Sequence, residues 1–141
     1  MPGTDRQAYG REHTISADGK PSILGSADPA FRGDAARWNP EDLLVAALAA
    51  CHKLWYLHRC ARSDIRVLAY RDAAVGTMAE DAATGVRFTR VVLRPRGTIR
   101  YTYDIALAER LQAEAPMECF IANAGNFQVE HEPTIERMGT A

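Results

Sequence analysis

A chain of 141 residues, with 47% hydrophobic and 25% charged residues, has the composition of one ordinary folded domain. Its 17 Lys and Arg against 18 Asp and Glu leave a formal net charge of −1, which argues against nucleic-acid or anionic-membrane partners, since both select a basic surplus. Uncharged runs such as residues 43–52 fall far short of the roughly 20 residues of a membrane helix, and the first residues lack the basic start and apolar core of a secretory signal. A single domain spanning residues 1–141, in the cytoplasm, is expected.

Residues 1–38 are punctuated by Gly, Pro and Asp, and only 12–16 reads as a short strand, followed by a turn at Asp18-Gly19. A long helix then opens on a clear signal. Asn39 suits the N-cap, Pro40 the first helical position, and Glu41 and Asp42 the positive end of the macrodipole. Residues 43–62 are rich in Ala and Leu without Gly or Pro, which predicts about six helical turns. Over 43–50 the helix is apolar nearly all round, a pattern that demands cover on most sides. In so short a chain a second subunit is the natural source of that cover.

Residues 65–78 and 86–99 read as two strands joined by a hairpin connection over 79–85. Residues 104–115 form a helix capped by Asp104, Pro116 interrupts it, and 117–124 form a second short helix ending at Gly125. Phe127, Val129 and His131 alternate as a last strand closed by Pro133. The order describes an α+β fold with helices packed on an antiparallel sheet.

Three cysteines, Cys51, Cys60 and Cys119, are too few and too widely spaced for a disulfide framework or a zinc site. Buried inert thiols are the ordinary outcome for such residues; redox chemistry is the alternative. Cys119 falls at a helix start, where the positive dipole end favours a thiolate. Cys60 lies about 180° round the helix from Cys51 and roughly 13 Å along it, beyond the roughly 7 Å Cα separation that a disulfide bridges, so it reads as structural. His52 beside Cys51 invites a Cys-His dyad, but neighbours on a helix point about 100° apart, which disfavours it. Trp55, Tyr56 and His58 add bulk that shapes a hydrophobic pocket or packs the core.

The run Asn39-Pro-Glu-Asp-Leu-Leu-Val-Ala-Ala-Leu-Ala-Ala-Cys51-His resembles the long helix of the OsmC/Ohr family, named for osmotically induced and organic-hydroperoxide-resistance proteins. Its pattern is Asn-Pro-Glu-Glu-Leu, then small and apolar residues, then Ala-Cys. The segment Glu118-Cys-Phe-Ile-Ala-Asn-Ala-Gly-Asn-Phe-Gln-Val is similar to the family's second cysteine, and the resemblance covers roughly residues 12–135. It implies an OsmC-like α+β fold with a long central helix, an intertwined homodimer, and a site at the subunit interface. It also implies a reaction. Cys51 attacks the O–O bond of an organic hydroperoxide, an alcohol leaves, and the Cys51 sulfenic acid condenses with Cys119 to a disulfide. A dithiol reductant, a lipoylated protein in the family, restores both thiols. No cofactor and no metal are implied.

Glu41 matches the family's Glu ten residues before the first cysteine. One straight helix separates Glu41 from its own Cys51 by about 15 Å, so it acts across the interface or serves only as a helix-dipole carboxylate. The family's thiolate-stabilising arginine corresponds to Arg32 or Arg37, and spacing favours Arg32. Two departures from the family pattern are expected: no leading strand before residues 9–16, and the bulk of His52, Trp55, Tyr56 and His58, which suggest a less characterised branch. The rival reading is a dimeric binding protein for an apolar ligand, with redox-sensing cysteines. A KH-type RNA-binding module is disfavoured by balanced charge and the lack of a Gly-x-x-Gly loop. A site walled by Leu48, with Trp55 and Phe120, is expected to prefer bulky organic hydroperoxides to hydrogen peroxide.

Overall fold

In the computed structural model, which describes residues 9–83, 85–101 and 103–139, the chain divides into two compact units at Leu44–Val45. In the first, β1 (His13–Ile15) pairs antiparallel with β2 (Ile23–Gly25), Ile15 facing Ile23. The connection turns at Asp18-Gly19, where Gly19 takes φ 77°, a left-handed conformation that costs glycine little. The strand β2 escaped the sequence reading because three residues are too few to show alternation. Whether a strand precedes Tyr9 falls on residues 1–8, outside the described residues.

Asp28 then caps a 3-10 turn at Pro29–Phe31, its Oδ1 accepting the Ala30 N–H at 2.9 Å. The long helix α1 (Pro40–Arg62) starts as its sequence demands, with the Asn39 side chain accepting the Asp42 N–H at 2.8 Å. It ends in a Schellman closure. The Ile65 N–H donates to the Cys60 carbonyl at 2.8 Å and the Asp64 N–H to Ala61 at 3.2 Å, with Asp64 at φ 57°. Within one chain α1 is enclosed along a single stripe, Leu48, His52, Tyr56 and Cys60, while Leu54 is 66% exposed. The helix is therefore less covered than its apolar first turns demand.

The second unit follows with β3 (Val67–Asp72), β4 (Val75–Asp81), β5 (Gly85–Leu93), β6 (Pro95–Arg100), α2 (Ile105–Glu114), a 3-10 turn at Ala115–Glu118, α3 (Phe120–Ala124), β7 (Gln128–His131) and β8 (Thr134–Met138). Two three-stranded sheets result, in the orders β3-β6-β8 and β4-β5-β7. The pairs β3/β6 and β4/β5 are antiparallel; β7 joins β5, and β8 joins β6, in parallel. The α+β plan holds, and the sheets are mixed.

Each of the two long strands read from the sequence is cut in two, at Ala73-Ala74 and at Arg94. The cut is made by a hydrogen bond between the two strand ends. The Asp72 carboxylate accepts the Arg94 N–H at 2.7 Å, and Pro95 has no N–H to offer a continuing ladder. Pro133 separates β7 from β8 at the same level, where the Glu132 N–H donates to the Leu93 carbonyl at 2.8 Å. Thus β8, which the sequence reading closed off at Pro133, is a further strand beyond it. Two cores form, one of Leu48, Val91 and Leu93, the other around Tyr56, Cys60, Ile99 and Leu111. Each fully buried aliphatic side chain contributes about 1.5–3 kcal/mol.

Candidate functional site

Cys51 sits on α1, half-buried, one turn beyond Leu48. Cys119 is the residue that caps α3; it is 2% exposed, and its sulfur accepts the Ala122 N–H at 3.4 Å. Cys51 lies close enough to Cys119 to perturb its thiol, and both cysteines are free. The structure thus brings together residues 68 apart in the chain, with α2 and the 3-10 turn after it tied to α1 by side-chain contacts from His52, Tyr56 and Arg59.

One expectation for Cys119 is reversed. A helix start was expected to favour its thiolate, yet burial pushes the thiol pKa up. The neighbouring Cys51 thiol adds to the rise, and the Ala122 N–H offsets only part of it. The physical reason is size: α3 has five residues, too short a helix to outweigh the desolvation of a buried sulfur. Cys119 is a thiol held in its protonated form.

Cys60 lies in the core at 1% exposure, beside Tyr56, with its pKa raised by burial. Leu48 is 0% exposed and packed with Val91 and Leu93, so it is a core residue and not the pocket wall that the sequence suggested. The apolar surface next to the thiols is made by others. Trp55, one turn after Cys51, meets Phe120, the neighbour of Cys119, edge-to-face at 5.7 Å. Phe120 is 71% exposed and Met117 77%.

His52 turns away from Cys51 into the core. It is 1% exposed, its Nε2 lies 2.6 Å from Gln112 Oε1, and its ring centroid is 4.7 Å from that of His131. Burial lowers the His52 pKa, with Gln112 and the nearby Asp72 carboxylate acting weakly against it. Burial and the neighbouring His52 lower His131 to about 4. Asp72 moves the other way, raised by burial and partly restrained by the Arg94 N–H and by His52. His52 Nδ1 and Asp72 Oδ2 are buried without a hydrogen-bond partner among the described residues, and Gln112 also faces the buried Tyr70 hydroxyl. The sequence reading missed Gln112, Asp72 and His131. A usable signal was present, because Gln112 interrupts the core-facing stripe Ala108, Leu111, Ala115 of its helix segment.

The other predicted residues belong to the first unit. Arg32 follows the 3-10 turn at φ 67° and is exposed, with no ion pair among the described residues. Arg37 is engaged locally, donating to the His13 carbonyl at 3.3 Å and lying 3.9 Å from the Asp34 carboxylate. Glu41 stands in the first turn of α1, its Oε2 occluded and without a hydrogen-bond partner among the described residues. No cluster of three or more His, Cys, Asp or Glu arranged to hold a metal ion occurs among the described residues, and no helix there is long and apolar enough to cross a membrane.

The model of the OsmC-like protein family matches residues 33–133, and the chain belongs to that family. An OsmC-like protein of unknown function from Vibrio cholerae O1 biovar eltor is 34% identical, with a TM-score of 0.82 over 89% of this chain and 85% of that one. An OsmC-like protein from Mycoplasma pneumoniae is 14% identical, with a TM-score of 0.74 over 89% of each chain. The organic hydroperoxide resistance protein OhrB of Bacillus subtilis is 21% identical, with a TM-score of 0.61 over 87% of this chain and 97% of that one. These last two likenesses are likenesses of fold. Among proteins of curated function none matches the chain.

Proposed function

We propose that this protein is a cytoplasmic thiol peroxidase that reduces organic hydroperoxides to alcohols. The observation that carries the reading is the proximity of Cys119 to Cys51, close enough for one thiol to perturb the other, in a chain of this family. The Cys51 thiolate attacks the distal oxygen of ROOH and the O–O bond breaks. The alkoxide leaves as ROH with a proton, and Cys51 becomes a sulfenic acid. Cys119 then attacks the Cys51 sulfur, the S–S bond forms, and the sulfenic oxygen departs as water with the Cys119 proton. A dithiol, such as a lipoylated protein, supplies two electrons and two protons to restore both thiols.

Roles follow for the rest. The partly exposed Cys51 meets the peroxide, while the buried, protonated Cys119 stays in reserve for the sulfenic acid. Arg32, whose guanidinium is not committed to an ion pair among the described residues, is the clamp for the thiolate and peroxide. Glu41 serves Cys51 of the partner subunit in a homodimer, a reading supported by its unpartnered Oε2. The family match crosses the division between the two compact units, which supports taking them as one OsmC-like domain. Trp55, Phe120 and Met117 offer the apolar contact for the organic group.

The test is steady-state turnover of cumene hydroperoxide with a dithiol donor. Turnover abolished by Cys51→Ser is expected. No turnover in the folded, fully reduced protein would overturn the peroxidase reading. If the cysteines still formed their disulfide, a dimeric binder of an apolar ligand with sensing cysteines would take its place.

A further inference from the structure

His52 and Gln112 have no part in the reaction just described, although His52 directly follows Cys51 and both are buried. We propose that their hydrogen bond fixes the register of α1 against α2 and so positions Cys119 to close the disulfide on Cys51. The inference rests on the peroxidase reading for the origin of the sulfenic acid, but not for the disulfide itself.

Three polar contacts tie α1 to α2 and to the turn that follows it. His52 Nε2 meets Gln112 Oε1 at 2.6 Å; Tyr56, one turn further along α1, donates its hydroxyl to the Ala108 carbonyl at 3.1 Å. Arg59, nearly another turn on, pairs with Glu114 at 2.8 Å and with Glu118. All three contacts reach α2 or the 3-10 turn after it, and the next residue along the chain is Cys119. The His52 contact is the one beside the reactive thiol.

Stability alone does not explain that contact. An imidazole and a carboxamide in a core bring a desolvation cost, and here His52 Nδ1 keeps no partner among the described residues. An apolar pair of similar volume would pack without that cost. What the polar pair adds is direction. Apolar helix faces tolerate sliding past one another, whereas a 2.6 Å bond forms at one register only. His131, with its ring 4.7 Å away on β7, flanks the imidazole from the sheet side.

Register matters because the closing step is geometrically strict. The Cys119 sulfur must approach the Cys51 sulfur opposite the departing oxygen, and a misplacement of about 1 Å costs on the order of a hundredfold in such steps. Cys119 is buried and cannot compensate by swinging in from solvent.

The test compares wild type with Gln112→Met, which removes the bond at similar volume, with Gln112→Glu, which returns an oxygen acceptor, and with His52→Phe. Two quantities are measured. After one equivalent of cumene hydroperoxide, the Cys51 sulfenic acid is trapped with dimedone and its closure to disulfide timed by mass spectrometry. Separately, the Cys51–Cys119 disulfide is equilibrated in dithiothreitol redox buffers, which requires no peroxide. Gln112→Met and His52→Phe should form the sulfenic acid at the wild-type rate, close it at least tenfold more slowly, and hold the disulfide at least tenfold less tightly. Gln112→Glu should recover most of both. Wild-type closure and equilibrium in Gln112→Met would overturn the inference while leaving peroxidase activity intact. Failure of both apolar variants to fold would also overturn it, by making the pair a structural necessity. A wild type inert to peroxide, with the buffer equilibrium still shifted tenfold in the variants, would remove the peroxidase reading and leave the positioning role standing.

Discussion

Acid should destabilise this protein through His131, and the size of the effect follows from its surroundings. Its imidazole pKa sits at about 4 in the folded chain, against about 6.5 in an unfolded one. Between those values the unfolded chain binds more protons, so stability rises with pH across the window. The contribution is complete above about pH 6.5 and is lost as pH falls toward 4. A shift of that size corresponds to about 3 kcal/mol in full, with about 2.6 kcal/mol gone by pH 4.5. The ring is partly exposed, and solvent screening reduces the loss to roughly half, about 1–1.5 kcal/mol. The groups facing it are His52 on α1 and, through His52, the Asp72 carboxylate on β3. Asp72, with its pKa raised, pulls stability the other way nearer the carboxylate range, and it is present in any His131 variant. The assay is therefore a difference: urea unfolding of wild type and His131→Gln at fixed protein concentration, from pH 7.5 to 4.5. Wild type should lose about 1–1.5 kcal/mol more than the variant over that span. Parallel losses would refute the claim that burial holds this imidazole neutral.

Three further outcomes are expected. Cys60→Ala should retain peroxide turnover near wild type while Cys51→Ser has none, because Cys60 is enclosed beside Tyr56 in the core; equal losses in a steady-state assay would mean the wrong thiol has been assigned. Leu48→Ala should cost about 2–5 kcal/mol in denaturant unfolding, since Leu48 is wholly buried against Val91 and Leu93; a change below 1 kcal/mol would contradict its place in the core. Cumene hydroperoxide should exceed hydrogen peroxide in kcat/KM by between one and two powers of ten, from roughly 100 Å² of apolar surface at about 25 cal/mol per Å². Phe120→Ser should narrow that gap, and equal kcat/KM for the two peroxides in wild type would remove the apolar contact from the argument.

What could be read in advance, and what could not, divides by the range of the interaction that decides it. The start of α1 was legible because Asn39, Pro40 and Glu41 act within one turn, and Asp104 announced α2 in the same way. The cut between β3 and β4 was not, since it depends on the Asp72 carboxylate meeting the Arg94 N–H across 22 residues. Local alternation carries no trace of such a bond. The mixed pairing of β7 and β8 likewise rests on contacts with β5 and β6, some 38 residues away, and their own short patterns are indifferent to direction.

The candidate site shows the same division with one instructive exception. Sequence resemblance pointed to Cys51 and Cys119, and their proximity requires the whole path through α2, so no spacing rule within the chain supplies it. The pKa direction of Cys119 was misjudged because a helix start is visible in sequence whereas burial of the sulfur is not. His52 and Gln112 are the exception. His52 lies on the stripe Leu48, His52, Tyr56, Cys60, and Gln112 lies among Ala108, Leu111 and Ala115; each is one polar residue on an otherwise core-facing row. A buried polar group is costly unless it is paired, so one such residue on each of two helices in a small domain is grounds to expect that they pair with each other.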